Sequence, residues 1–133
     1  MSLSNLSIFG LASDRMSWLS ARQKVTSENV ANASTPNYRS KDITDFATLL
    51  DAQSAPATGL AATHPKHITG TTGPAPGIRE VPDPAVHSTR LDGNTVNLED
   101  QAIRSAEISD QYRLAAQLYR KGYELLTLSV TGR

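Results

Sequence analysis

Asn29-Val30-Ala31-Asn32-Ala33-Ser34-Thr35-Pro36-Asn37-Tyr38 is the stretch on which the fold of this chain turns. Proline lacks the N–H that a helix needs and drives Thr35 out of the helical region, so any helix entering from the left must stop here. Asn37 tolerates positive φ, which predicts a turn. Before the stop, Asn29 and Asn32 lie three apart on one helix face, flanked by the small residues Ala31 and Ala33. Small side chains let another helix approach closely. An asparagine at such a contact fixes register, because its amide must both donate and accept. Tyr38 is placed to fold back as an anchor.

Moving toward the N-terminus, Leu6 to Ala33 contains no proline, and Ile8, Leu11, Ala12, Trp18, Leu19, Val25 and Val30 recur at mixed three-, four- and seven-residue spacing. This predicts an amphipathic helix about 40 Å long. Arg15 and Arg22 interrupt the stripe, and their aliphatic stems are expected to lie along it. Asp14 and Glu28, set against Arg15, Arg22 and Lys24, read as a solvated face. The stripe is narrow, as in a coiled-coil seam.

Toward the C-terminus, Ile43 to Leu50 predicts one or two helical turns. The stretch 52–94 then holds six of the seven prolines and five of the eight glycines. That density predicts an irregular, flexible segment, with short β-like pieces conceivable at His67–Thr69 and Ile78–Val81. Asp92-Gly93-Asn94 is a turn signal. Asn97 is a helix N-cap, with Glu99 and Asp100 in the first turn where the dipole favours them. A second long helix follows from Leu98 to Ser129. Ile108, Tyr112, Ala115, Tyr119, Gly122 and Leu126 mark one side, and Leu114, Leu118, Leu125 and Leu128 widen it.

The fold class is therefore mainly α: long terminal helices paired in a coiled-coil-like layer around a Pro/Gly-rich middle. The expected division is 1–33 N-terminal helix, 34–51 turn and short helical segment, 52–94 irregular middle, and 95–133 C-terminal helix. Every aromatic lies toward an end (Phe9, Trp18, Tyr38, Phe46, Tyr112, Tyr119, Tyr123), so the ends carry the burial. With 38% hydrophobic residues, a core completed by neighbouring subunits is as reasonable as a self-sufficient one. Lys+Arg and Asp+Glu number 13 each, so there is no basic excess of the kind that nucleic acid demands. The absence of cysteine excludes disulfide and thiolate chemistry. Met1-Ser2-Leu3-Ser4-Asn5 has neither the basic nor the apolar region of a secretory signal, and no apolar run reaches membrane-spanning length.

Signals for chemistry are thin. His64 and His67, with His87 further on, could form a metal site, but they sit in Pro-containing irregular sequence and read as exposed loop residues. There is no nucleophile elbow and no phosphate-binding glycine loop. Asn5-Leu6-Ser7 and Asn32-Ala33-Ser34 match a glycosylation pattern by accident of composition. Trp18, Tyr112 and Tyr119 lie on apolar stripes and read as packing residues rather than a ligand surface. No catalytic, metal or cofactor residues are assigned.

Asn29 to Tyr38 resembles the signature of bacterial flagellar rod and hook proteins, approximately N-(I/V)-A-N-x-x-T-P-G-Y, with Asn37 at the usual glycine. Thr63-His64-Pro65-Lys66-His67-Ile68 and Leu91-Asp92-Gly93-Asn94-Thr95-Val96-Asn97-Leu98-Glu99 are similar to two further stretches of the proximal rod proteins, with Asn97 in place of an aspartate. The resemblance implies a non-catalytic subunit of the flagellar rod. It would stack helically into a hollow shaft through the periplasm, transmitting torque and lining the export channel. Implied partners are other copies of itself, the rod proteins FlgC and FlgF, the adaptor FliE, the MS-ring protein FliF and the flagellar type III export apparatus, with no nucleic acid and no direct membrane span. Export without a cleaved signal peptide is implied as well. Phe46 and Leu50 fit an apolar element that assists docking at the export gate, although ordinary packing explains them equally well.

On this reading Asn29, Ala31, Asn32, Thr35, Pro36 and Tyr38 form the motif and its turn. Leu11, Trp18, Val25, Ile108, Tyr112, Tyr119 and Leu126 are the expected subunit-packing residues, with Trp18, Leu11 and Val25 facing the tyrosines across the helix pair. The competing readings are a soluble helical-hairpin adaptor or export chaperone and a small metal-dependent enzyme using His64, His67 and His87.

Overall fold

A computed structural model describes residues 7–54 and 77–132 of the chain. Five elements follow in order: α1 (Ser7–Ala31), β1 (Lys41–Ile43), α2 (Phe46–Ser54), β2 (Glu80–Pro82) and α3 (Leu98–Thr131). The chain is mainly helical, with its long terminal helices packed against each other, as the sequence led us to expect. Each terminal helix ends within about two residues of its expected boundary, the usual uncertainty of a helix end.

α1 and α3 run antiparallel. Asn29 meets Gln101, Gln23 meets Ser105, Arg15 meets Gln111, and Phe9 meets Tyr119, so one numbering rises as the other falls. Gly122 makes room for the last of these contacts: a Cβ there would sit 3.1 Å from the Phe9 ring. α3 begins as predicted, with the Asn97 side chain accepting a hydrogen bond from the Glu99 N–H. Asn37 has φ of 60°, which confirms the expected turn after α1.

A compact cluster of Trp18, Leu19, Val25, Ile43, Leu49 and Ile108 forms the core, with Ala21, Phe46 and Ile78 packed against it. It joins both long helices to α2, to β1 and to the segment leading into β2. Trp18 crosses Phe46 edge-to-face at 5.9 Å, and its indole N–H donates to the Thr44 carbonyl at 2.8 Å. The guanidinium of Arg15 lies 4.6 Å from the Trp18 ring and 4.9 Å from Phe46, while Arg22 lies 5.3 Å from Trp18. Both arginines thus seal the aromatic pair with their charged heads as well as their stems.

The region around Ile43 differs from the sequence expectation. Ile43 ends strand β1, and the short helix starts only at Phe46. β1 pairs antiparallel with β2 in the register Lys41↔Pro82, Asp42↔Val81, Ile43↔Glu80. The expected irregular middle, 52–94, lies partly outside the described residues, including His64, His67 and the β-like piece at His67–Thr69. Its described part carries β2, which overlaps the end of the second conceivable β piece, Ile78–Val81, and runs one residue past it. It also supplies Ile78 to the core and the buried Asp83.

An ion chain ties these strands to the helices. Arg22 donates to both oxygens of Asp42, at 2.9 and 2.7 Å. Arg104 of α3 donates to both oxygens of Asp83, at 2.8 and 3.1 Å, and lies 3.7 Å from Asp42. Arg22 therefore belongs to a buried network and not to a solvated face, because its partner Asp42 sits inside the strand pair. Lys24 and Glu28 do keep to the surface as an exposed i,i+4 pair. Burial alone would raise the Asp83 carboxyl. The Arg104 hydrogen bonds and charge, the Ala85 N–H and the Ser40 hydroxyl outweigh it and hold that carboxyl below its ordinary value.

A carboxylate depressed in the folded state contributes stability that is present above its unfolded pKa and is lost as pH falls through the folded value. Asp83→Asn leaves the buried Arg104 without its main counter-charge and is expected to cost about 3 kcal/mol at neutral pH. The gap between wild type and variant should close as pH falls through the folded value of Asp83, below its ordinary carboxylate range, where wild-type Asp83 is itself protonated. Urea unfolding of both proteins across that range measures it.

Candidate functional site

The asparagine motif at the end of α1 is assembled around one side chain. Asn29 is 0% exposed. Its amide nitrogen donates to the Lys41 carbonyl at 2.7 Å and to Gln101 Oε1 at 3.1 Å. Its oxygen accepts from the Lys41 N–H at 3.0 Å and from the Tyr38 hydroxyl at 3.2 Å. Both amide hydrogens and both lone pairs are used. One residue thereby fixes α1 to β1, to α3 and to the returning Tyr38. The Tyr38 hydroxyl is harder to ionise than usual, mainly through burial and secondarily through the opposing effects of Lys41 and of Glu28 and Glu80.

A second buried asparagine closes the helix end. The last carbonyls of any helix lack intrahelical partners. Here Asn94, also 0% exposed, donates from its amide to the carbonyls of Asn32 and Thr35, at 2.9 and 2.8 Å. Its oxygen accepts from the Val96 N–H, and its own N–H bonds to Asp92 Oδ1. Arg90 adds a guanidinium bond to the Ala33 carbonyl. Main-chain bonds complete the joint: the Asn37 N–H donates to the Asp92 carbonyl at 2.8 Å, and the Thr95 N–H to the Tyr38 carbonyl at 3.1 Å. Gly93, at φ of 80°, passes so close to Asn37 that a Cβ would collide with its side chain. The first and third sequence motifs, some sixty residues apart, are therefore two halves of one structure.

The other motif residues support this joint from outside. Asn32 donates to the Glu28 carbonyl and accepts from the Thr35 hydroxyl. Ala31, Thr35 and Pro36 are exposed.

The expected packing residues separate into groups. Trp18, Val25 and Ile108 belong to the chain's own core, and Trp18 meets Phe46. Tyr119 meets Phe9 edge-to-face at 5.1 Å. Leu126 is half-buried, while Leu11 and Tyr112 stay largely open. Phe46 and Leu50 of α2 line an apolar groove of about 330 Å³, together with Leu11, Ala115 and Leu118. His87 is exposed beside a small polar cavity. Sequence reasoning did not assign structural roles to Gln101, Asn94, Arg90, Asp42, Asp83 or Arg104. The signal available for Asn94 was its place in the third motif, which spacing alone reads only as a turn.

The arrangement is positional. Its donors and acceptors are spent on the backbone and on each other, so what it provides is a fixed register between α1 and α3. Asn29→Asp tests this. A carboxylate would face two oxygens that now receive hydrogen bonds, costing about 3 kcal/mol at neutral pH against less than about 0.5 for an exposed site. That repulsion raises the carboxyl's folded pKa, so the penalty should shrink as pH falls through it. Urea unfolding at neutral and acidic pH measures both effects.

Residues 11–39, which contain most of α1 and the first half of the joint, match the family model described as flagella basal body rod protein. The chain is 32% identical over 130 residues to "Flagellar basal body rod protein FlgB" of Agrobacterium fabrum, covering 97% of this chain and 96% of that protein. The protein of the same name from Aeromonas hydrophila is 32% identical, over 88% of this chain and 87% of its own length. That from Escherichia coli K12 is 34% identical over 71% of each chain. With its first and third motifs joined in one buried structure and its likeness to the Agrobacterium relative running almost end to end, the chain belongs to the FlgB family of flagellar basal body rod proteins, a structural family and not an enzyme class.

Proposed function

We propose that this rod subunit forms the cell-proximal part of the shaft, stacking helically with its own copies to transmit torque and to bound the export channel. One observation carries the reading: the helix pair is locked in register at its Asn29 end, while apolar side chains stay open along the rest. Leu11 is 46% exposed, and Ile8, Leu114, Leu118, Leu125 and Leu128 are exposed as well. A registered hairpin with an uncovered stripe is suited to burying that stripe against neighbours in a fixed geometry. Contacts between unlike faces propagate instead of closing.

The segments 1–33 and 95–133 form the core layer, 34–51 the joint and short helix, and 52–94 the outer part. Partners on this reading are the rod proteins FlgC and FlgF, the adaptor FliE, the MS-ring protein FliF and the type III export apparatus. Phe46 and Leu50 serve docking at the export gate while the chain is unfolded, and pack beside Leu11 once it folds. The rod part spans the periplasm, reached without a cleaved signal peptide. Among the described residues no helix is long and apolar enough to cross a membrane.

Leu11→Asp places a charge in the apolar groove without touching the joint. The purified variant should keep its helical circular dichroism and lose less than about 1 kcal/mol of stability. A flagellated host carrying it in place of the native gene should lose swimming and yield few basal bodies. Normal swimming with normal basal-body numbers would overturn the reading.

A further inference from the structure

α3 has a second face, exposed to solvent along its length, of which only Leu118 borders the groove beside Leu11. Counting about 100° per residue, Ile103, Glu107, Leu114, Leu118, Lys121 and Leu125 fall in an arc of roughly 60°, centred about 110° from the buried Gln101–Ile108–Ala115 side. The leucines of this arc are more than half exposed: Leu114 57%, Leu118 58% and Leu125 58%, with Ile103 at 60%. Glu107 and Lys121 are exposed too. Asp110 falls at the edge of the same arc.

The spacing of this face is a palindrome. From Leu114 the steps backward are four to Asp110, three to Glu107 and four to Ile103. The steps forward are four to Leu118, three to Lys121 and four to Leu125. Two copies of α3 laid antiparallel about a two-fold axis at Leu114 therefore come into register along the whole face. Ile103 of one copy meets Leu125 of the other, Leu114 meets its own counterpart, and Glu107 meets Lys121. The charged layer is complementary and, by symmetry, occurs twice.

We propose that two copies of this chain associate through this face as an antiparallel, two-fold symmetric α3–α3 pair. Charge complementarity selects a second copy as occupant, because the only like-for-like layer is Leu114 against Leu114. Lys121 must leave its intrachain partner Glu124, 3.2 Å away; both side chains are largely exposed, so that exchange costs little. Glu107 gains its first ion partner among the described residues. Asp110 meets Leu118 of the second copy in this register; it keeps Arg113, 3.3 Å away on its outer side, where its charge reaches water, and lies one layer from Lys121 of the second copy. A two-fold pair is closed. It hides the leucine face without starting a fibre, which makes it a storage form of the subunit. The pair stands on α3 alone and does not depend on the rod reading.

Sedimentation of the full-length chain should give a reversible dimer with a dissociation constant on the order of 10 μM. Glu107→Lys and Lys121→Glu, each alone, set like charges opposite one another twice and should weaken it about tenfold. The double reversal Glu107→Lys/Lys121→Glu should restore it. The chain has no cysteine, so Leu114→Cys should oxidise to a covalent dimer, while Ala106→Cys, eight residues from the two-fold axis and about 80° round the helix, should not. A monomer at every concentration, a double reversal no tighter than the singles, or equal crosslinking of the two cysteine variants would each overturn the pair. These readings use purified protein only, so they separate from the swimming assay.

Discussion

The amide of Asn29 is the constraint on which the rest of the structure depends. No other neutral side chain of that length offers two donors and two acceptors in a plane. Here the Lys41 backbone of β1 occupies two of those positions, Gln101 of α3 a third and the returning Tyr38 the fourth, all from a side chain carried by α1. A leucine in its place would bury more apolar area. It would also leave the Lys41 backbone groups and the Gln101 carbonyl without partners, and a buried polar group so abandoned costs about 1–3 kcal/mol. The site trades some hydrophobic burial for a single permitted register, the best-attested use of a polar group inside a helix pair.

From this joint the character of the molecule changes along the helices. Near Asn29 and Gln101, contacts are polar, buried and directional, reinforced by Asn94 at the helix end and by the Arg104–Asp83 pair on α3. At the other end the helices meet through Phe9, Tyr119 and Gly122, and the apolar groove beside them stays open. Directional bonds set where the helices lie, and dispersion keeps them together further out. A subunit built this way presents its exposed stripes at defined angles, because the stiff end dictates the geometry of the soft one.

Much of this was legible from the sequence. Pro36, Asn37 and Asn97 act through local chemistry, so the stop of α1, the turn and the cap of α3 could be read without knowing the partners. Asn29 was recognisable as a register residue for the same reason. The strands were not. β1 is three residues long and buries both Asp42 and Ile43, so it lacks the alternation that reveals a strand. Asp42 can be buried only because Arg22 and Arg104 arrive from two other elements, and nothing near it in sequence announces that. Asn94 looked like a turn residue and is one. Its larger role, capping a helix that ended sixty residues earlier, exists only in three dimensions.

The two faces of α3 set the terms on which the molecule can associate. The first face is spent on α1, so the helix is already formed and held when a neighbour arrives. Association then does not need to fold a chain, and its entropic cost is confined to rigid-body freedom and a few long side chains. The second face is leucine-rich but is broken by Glu107 and Lys121, so it does not attract apolar surface indiscriminately. Any covering surface must also answer those two charges, or leave them a path to water. A closed pair of α3 helices answers them with each other. On the proposed reading a growing shaft would have to offer at least as good a match from a different face, and the competition between these two coverings would decide whether a free subunit rests or assembles.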